Sequence, residues 1–470
     1  MTPLWIVLPW VAALPQEGPS REEAAGALRR AVEFFRREVA VEGGYLWRYS
    51  EDLRLREGEG AVEGRTVWVQ PPGTPTVGEA FLGAFEATAD RYYLEAAREA
   101  AGAILRGQLR SGGWTYRVDF DPAERARTAY RVDPPGKGAP RNWSTLDDDT
   151  TQSALRFLMR LDRALGFKDA AVHEAVLFGL EALLKAQAPC GGFPQGFQGP
   201  AEDRPVLKAS YPESWSRTVP PRNAYWFFYT LNDDLAPDIL EVLLLAESTY
   251  GESKFREAIR RLGKFLLLAQ MPDPQPGWAQ QYDFEMHPAW ARKFEPPAIT
   301  GGESQGVMET LLRIARHTGD RSFLEPLPRA LEYYRGSLLP GGRLARFYEL
   351  RTNRPLYFTR NYELTYSDAD VPTHYAFVVG SRLDRIAAEF ERLKGADLRP
   401  EPAAADVPPR LTRELAAHAR AVAAALDARG RWVENGALRY HKVPAGRILD
   451  CATFARNVRT LSRYLAALPK

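Results

Sequence analysis

A helix that runs into the same kind of turn recurs along this chain, and it is the strongest constraint on the fold. An Ala/Leu-rich segment, 94–105, leads to Gln108 and then Gly112-Gly113-Trp114. The pattern returns as 180–184, Gln187 and Gly191-Gly192-Phe193, and again as 265–268, Gln270 and Gly277-Trp278. Weaker copies of the turn stand at Gly43-Gly44-Tyr45, Gly341-Gly342-Arg343 and Gly430-Arg431-Trp432. A spacing of about 65 to 90 residues fits one helical hairpin plus a long loop per unit. A second apolar-periodic helix precedes most of these segments, at 77–88, 151–161, 237–246 and 306–315. Helix pairs without regular strand alternation predict an all-α chain. The expected form is an α/α toroid, or incomplete helical barrel, whose long irregular loops and short strands make a groove.

A second repetition suggests where chemistry would sit. Thr145-Leu146-Asp147-Asp148-Asp149 opens one predicted helix and Thr230-Leu231-Asn232-Asp233-Asp234 opens another. Asp and Asn cap helix N-termini and suit the positive end of the helix dipole. Two clusters, each with more carboxylates than a cap uses, point beyond capping. In a repeat fold equivalent positions face the same rim, and converging carboxylates make an oxygen-rich pocket for a hard cation or for carbohydrate.

Bulk properties narrow the field. With 62 basic and 60 acidic residues the net charge is +2, which gives no global electrostatic case for nucleic acid or an anionic membrane. Only two cysteines occur, Cys190 and Cys451, with neither metal-ligand spacing nor a disulfide framework. The six histidines are scattered without a zinc-ligand pair. Gly301-Gly302 is not a phosphate loop, since no Lys-Ser/Thr follows.

The first 18 residues hold a short apolar stretch ending in small residues near Ala13. They are read as a signal peptide, although Lys and Arg are missing from their start. No later segment reaches spanning length. Residues 19–394 are expected to form the toroid. Residues 395–470, opening with Pro400, Pro402, Pro408 and Pro409, are expected to be a linker and a C-terminal helical extension.

Several motifs in order resemble polysaccharide lyase family ten, the helical pectate lyases. They are the stretch 183–195 around Gln187, Gly191, Gly192 and Phe193; the phrase 230–234; Trp278 to Asp283; Ala291-Arg292-Lys293-Phe294-Glu295; Gly301-Gly302-Glu303-Ser304; and 345–355, which begins Ala345-Arg346-Phe347-Tyr348-Glu349. The resemblance is strongest over 140–380.

The resemblance implies an exported enzyme, secreted or periplasmic, that cleaves α-1,4-galacturonan by β-elimination. A base takes the C5 proton beside the uronate carboxylate, and the glycosidic oxygen leaves from C4. The resemblance places Asp147 and Asp233 at a calcium and substrate site, with calcium bound possibly only together with substrate. It places Arg292 and Arg346 on the substrate carboxylate and Arg360 as the base. Asn232 and Trp278 are further expected substrate contacts.

The implied partner is an acidic polysaccharide, polygalacturonate or a related uronan, bound by a monomer with no nucleic acid and no transmembrane segment. The chain departs from the family pattern at Tyr282, at Asn361 and in an insertion carrying Trp215, Arg217, Arg222 and Trp226. Two alternatives stay open. One is an α/α-toroid glycoside hydrolase with Asp147 or Asp149 paired with Asp233. The other is a polysaccharide-binding protein without activity.

Overall fold

The computed structural model describes residues 18–134, 138, 140–398 and 409–469. The expected signal peptide lies outside these residues except for Gly18, and so does most of the proline-rich segment. The described residues are predominantly helical, with thirteen α-helices and only short strands. The chain forms two compact units: residues 1–63, 76–100 and 406–470 make one, and residues 64–75 and 101–405 make the other.

In the first unit, helix Arg21–Phe34 packs on helices Arg413–Ala424 and Cys451–Ala467. A capping box opens it, in which the Ser20 hydroxyl accepts from the Glu23 backbone N–H and the Glu23 carboxylate accepts from the Ser20 N–H. Strands Arg48–Ser50 and Val443–Asp450 pair antiparallel. The C-terminal helices are therefore built onto the N-terminal one, and residues 406–470 are not an appended pair.

The second unit repeats one motif. Helix Thr150–Ala164 packs against Leu235–Tyr250, which packs against Gly302–Thr318. The first two are each backed by the helix that follows, Ala170–Ala186 and Ser253–Leu268. The recurring glutamine explains why the repeats stay in register. Gln108 Nε2 donates to the carbonyls of Gly112 (2.9 Å) in its own turn and Ala175 (2.9 Å) in the next backing helix. Gln187 does the same to Gly191 (3.0 Å) and Ala258 (3.1 Å), and Gln270 to Pro276 and Pro326 (both 3.0 Å).

The turn glycines are needed for two reasons. Gly191 has φ +97°, and a Cβ there would stand 2.0 Å from the Arg261 carbonyl oxygen. Gln187→Leu strands two buried carbonyls and is expected to cost about 2 to 3 kcal/mol. A lowered urea midpoint checks this, and an unchanged midpoint refutes it.

Short antiparallel ladders fix the loops that carry the acidic phrases. Ser144–Thr145 pairs with Gly196–Phe197, Tyr229–Thr230 with Gln281–Tyr282, and Ala298–Thr300 with Phe347–Glu349. The inserted stretch lies on a buried hydrophobic cluster that includes Trp290, Phe294, Phe347, Leu356, Phe358 and Phe377, with Trp215 and Val219 packed against it. Arg217 is tied to Glu349 at 2.8 Å.

Candidate active site

Each acidic phrase leaves its ladder in the same way. The Asp147 backbone N–H donates to Thr145 Oγ1 (3.1 Å), and the Asn232 N–H donates to Thr230 Oγ1 (3.1 Å). The next two residues then take left-handed backbone: Asp148 and Asp149 at φ +47° and +59°, Asp233 and Asp234 at φ +47° and +56°. Paired non-glycine residues in this region are strained, and such strain concentrates at functional sites. The structural counterpart of Asp233 is therefore Asp148, while Asn232 matches Asp147.

Asp147, Asp148 and Asp233 offer carboxylate oxygens that all lie within 4.8 Å of one another. Tyr116 donates its hydroxyl to Asp147 Oδ2 (2.7 Å), and Gln70 donates Nε2 to Asp148 Oδ2 (2.8 Å). Burial, followed by the charges of Asp147 and Asp148, pushes the Asp233 carboxyl up to about 7. Asn232 donates its amide to Asp233 and leaves Oδ1 buried without a hydrogen-bond partner.

These features fit a hard cation. Every donor is oxygen, the three carboxylates repel one another, and a buried oxygen stands orphaned beside them.

Two expected arginines join this cluster. Arg292 Nη2 stands 3.9 Å from Asp233 and grips buried Glu295 through Nε (2.8 Å) and Nη2 (2.6 Å). Burial works against the Arg292 charge, but the bond to Glu295 outweighs it and the guanidinium holds its proton more tightly than usual. Arg346 pairs with Glu303 at 2.7 Å. Tyr375 links the two: the Arg346 and Arg292 guanidinium carbons lie 4.4 Å and 5.8 Å from its ring centre, and its hydroxyl donates to Glu295 (3.0 Å).

Two expected contacts lie elsewhere, and a third has a different part. Arg360 sits in an exposed turn, its side chain 70% accessible, with Nε 3.2 Å from Asp370. Tyr362 anchors that turn by stacking on Phe294, with the Lys293 ammonium 3.5 Å from its ring centre, and the Arg360 side chain is left largely in solvent. A desolvated base is not what that position provides. Trp278 is fully buried and donates its indole N–H to the Leu266 carbonyl (2.8 Å), as Trp114 does to Ile104 (2.8 Å). It closes its repeat and has no face for sugar. Asn232 stays at the cluster but is buried: its amide orients Asp233, and its unpartnered Oδ1 faces the cation site and not the sugar.

Tyr282 is likewise internal: its hydroxyl donates to the Ala269 carbonyl (2.6 Å) and accepts from the Ala279 N–H (2.7 Å). Asn361 lies in the exposed Arg360 turn. Sequence reasoning passed over Gln70, Tyr116, Asp148, Glu295, Glu303 and Tyr375 as site residues. Asp148 had a signal, the alignment of the two acidic phrases, and the two glutamates lie inside the motifs themselves.

Residues 108–321 match the family model described as pectic acid lyase. Just under half of the chain is thus similar to the pectic acid lyases. A family 10 polysaccharide lyase from Cellvibrio cellulosa, a mutant in complex with trigalaturonic acid, is 18% identical; the match covers 68% of this chain and 98% of that one with a TM-score of 0.46. A cellobiose 2-epimerase from Spirochaeta thermophila is 19% identical over 69% of this chain and 72% of that one, at TM-score 0.41. A D-mannose isomerase is 14% identical over 70% and 74%, at 0.40. No curated protein sequence matches.

The pectic acid lyase match takes in Asp147, Asp148, Asp233, Arg292, Glu295 and Glu303, and stops short of Arg346 and Tyr375. No described helix is long and apolar enough to cross a membrane.

Proposed function

We propose that the chain is an exported α/α-toroid lyase that cleaves an α-1,4-linked galacturonan, or a related uronan, by calcium-assisted β-elimination at the Asp147–Asp148–Asp233 cluster. The observation that carries this reading is a cluster of three carboxylates with Arg292 beside it, and with Arg346 sharing the Tyr375 ring with Arg292. A uronate carboxylate needs cations to neutralise it, and the arginines beside the cluster provide them, whereas a glycosidase works with a carboxylate pair and needs no such cations.

Bound at the three carboxylates, calcium would supply the positive charge that neutralises the uronate carboxylate and acidifies C5. Arg346, fixed by Glu303, adds charge on the same carboxylate. Arg292 replaces Arg360 as the group that takes the C5 proton, after giving up its own proton to bulk hydroxide, because its guanidinium stands 3.9 Å from Asp233 in the cluster. As C5 gives up its proton, the C4–C5 double bond forms and the C4–oxygen bond breaks. The departing oxygen then takes a proton from water.

Glu295 keeps Arg292 protonated at rest, so activity is expected to climb with pH into the alkaline range. Glu295→Gln removes the support that raises the Arg292 proton affinity. It is expected to move the rising limb of the kcat profile to lower pH, and a limb that stays in place removes Arg292 as base.

Calcium titration by calorimetry, with and without an oligogalacturonate, tests the shared site. Reciprocal coupling requires that each strengthen the other. Independent binding of the two would dismantle the proposal.

A further inference from the structure

The cluster opens on one side into a cavity of about 310 Å³, which is ample for one pyranose ring. Its walls are Tyr116, Trp143, Asp147, Gln195, Tyr225 and Trp226, together with Thr145 at its floor. The aromatic rings are braced against one another. Tyr225 and Trp226 lie edge to face at 5.0 Å, and Trp143 meets Phe227 at 4.9 Å and 86°. Gln281 holds the Tyr225 carbonyl (3.1 Å), which fixes the short turn Tyr225–Phe227 that presents these rings. Trp226 nonetheless remains 41% exposed, although its neighbours could have covered it.

This cavity and the arginine side of the site differ in one respect. Arg292 and Arg346 stand on the arginine side, while among the described residues no Lys or Arg lines the cavity, and the only charged residue in its described lining is Asp147. Even with calcium held at the cluster, its two charges are outnumbered by the three carboxylates, so a sugar that carries its own carboxylate would meet a net negative wall at Asp147. A sugar without negative charge meets what the walls offer. Aromatic faces take the apolar C–H faces of the ring, and a phenol, a hydroxyl and an amide serve its hydroxyls.

We propose that this cavity is a subsite for an uncharged sugar unit, so the lyase prefers a bond whose reacting uronate is free and whose neighbour is a methyl-esterified uronate or a neutral sugar. The inference rests on the lyase reading above and adds the specificity of its neighbouring position. The inserted segment supplies Tyr225 and Trp226, so the preference belongs to the part of this chain that departs from the family pattern. The reaction that supplies such a substrate would leave esters or neutral units in place, and would not be a complete de-esterification.

Release of unsaturated product is followed on three polymers: fully de-esterified galacturonan, half-methyl-esterified galacturonan, and a polymer in which galacturonate alternates with a neutral sugar. The expected result is kcat/KM at least about tenfold higher on the half-esterified or the alternating polymer than on the free acid, with the better of the two naming the natural source. Gln195→Lys places a cation in the wall and is expected to reverse the order in favour of the free acid polymer. Trp226→Ala, at an exposed position, is expected to cut kcat/KM on the preferred polymer about tenfold.

Fastest cleavage of the free acid polymer, unmoved by Gln195→Lys, would overturn the proposal. Absence of product from all three polymers would sink the lyase reading instead. The subsite would then be judged by calorimetry with methyl-esterified and free oligogalacturonates: tighter binding of the ester upholds it, and equal or weaker binding overturns it.

Discussion

Asp233→Asn is expected to raise the stability of the calcium-free protein at pH 8 while abolishing its response to calcium. The sign follows from linkage. In the unfolded chain an Asp loses its proton near 3.8, whereas in the folded protein Asp233 keeps it until about 7. Between those values the folded state binds the extra proton, so stability falls as pH rises and the loss is complete above 7. A shift of this size corresponds to on the order of 4 kcal/mol at full coupling. Solvent reaching the 29% exposed side chain reduces that to about 2 kcal/mol.

Asparagine carries no charge and avoids the loss. The variant should therefore melt several degrees above the wild type at pH 8 and at the same temperature near pH 4. Calcium should raise the melting temperature of the wild type, more at pH 8 than at pH 6, and leave the variant unmoved. A wild type that melts at or above the variant at pH 8 without calcium would show that the three carboxylates are not in mutual strain.

The second large effect separates the arginines. Arg292→Lys keeps the charge but gives up the two-pronged grip on Glu295 and the reach to Asp233. Loss of two charge-assisted bonds at the reacting centre is worth about 3 to 4 kcal/mol, so kcat should fall by about a hundred- to a thousandfold. Arg360→Lys should remain within about threefold of wild type, because that side chain is solvent-exposed and its pair with Asp370 is a surface one. Initial rates on polygalacturonate decide between them. The opposite pattern would restore Arg360 as the base and require its turn to swing inward during turnover.

The contrast between these arginines shows what a sequence can and cannot disclose. The helical repeats were legible because their signals are local: a 3.6-residue apolar period, a glutamine before the turn, and glycines that the turn geometry demands. The acidic phrases were legible because they repeat. Arg292, Arg346 and Arg360 look alike in sequence, each in an aromatic loop. What separates them is the direction of a turn set by Tyr362 against Phe294, a packing event with no local signature.

Trp278 misled for a similar reason. Its indole is spent on the Leu266 carbonyl, a role it shares with Trp114, and only a comparison of the two turns as structures reveals it. Gln70 and Tyr116, which hold Asp148 and Asp147, lie before residue 140 and outside the motifs that drew attention. Tyr375 partners Glu295 across 80 residues of chain.

The departures that raised doubt about activity carry less weight in three dimensions. Tyr282 is a buried strut and Asn361 sits in the exposed turn, so neither touches the carboxylates or their arginines.

The most direct measurement follows ultraviolet absorbance while the protein acts on polygalacturonate, with calcium present and with calcium chelated. Elimination leaves a double bond conjugated to the carboxylate, which hydrolysis does not. The account predicts a steady rise with calcium, loss of the rise on chelation, and no rise from Asp233→Asn under either condition. New reducing ends without any gain in absorbance would contradict it, and would return the paired carboxylates to the role of hydrolytic acid and base.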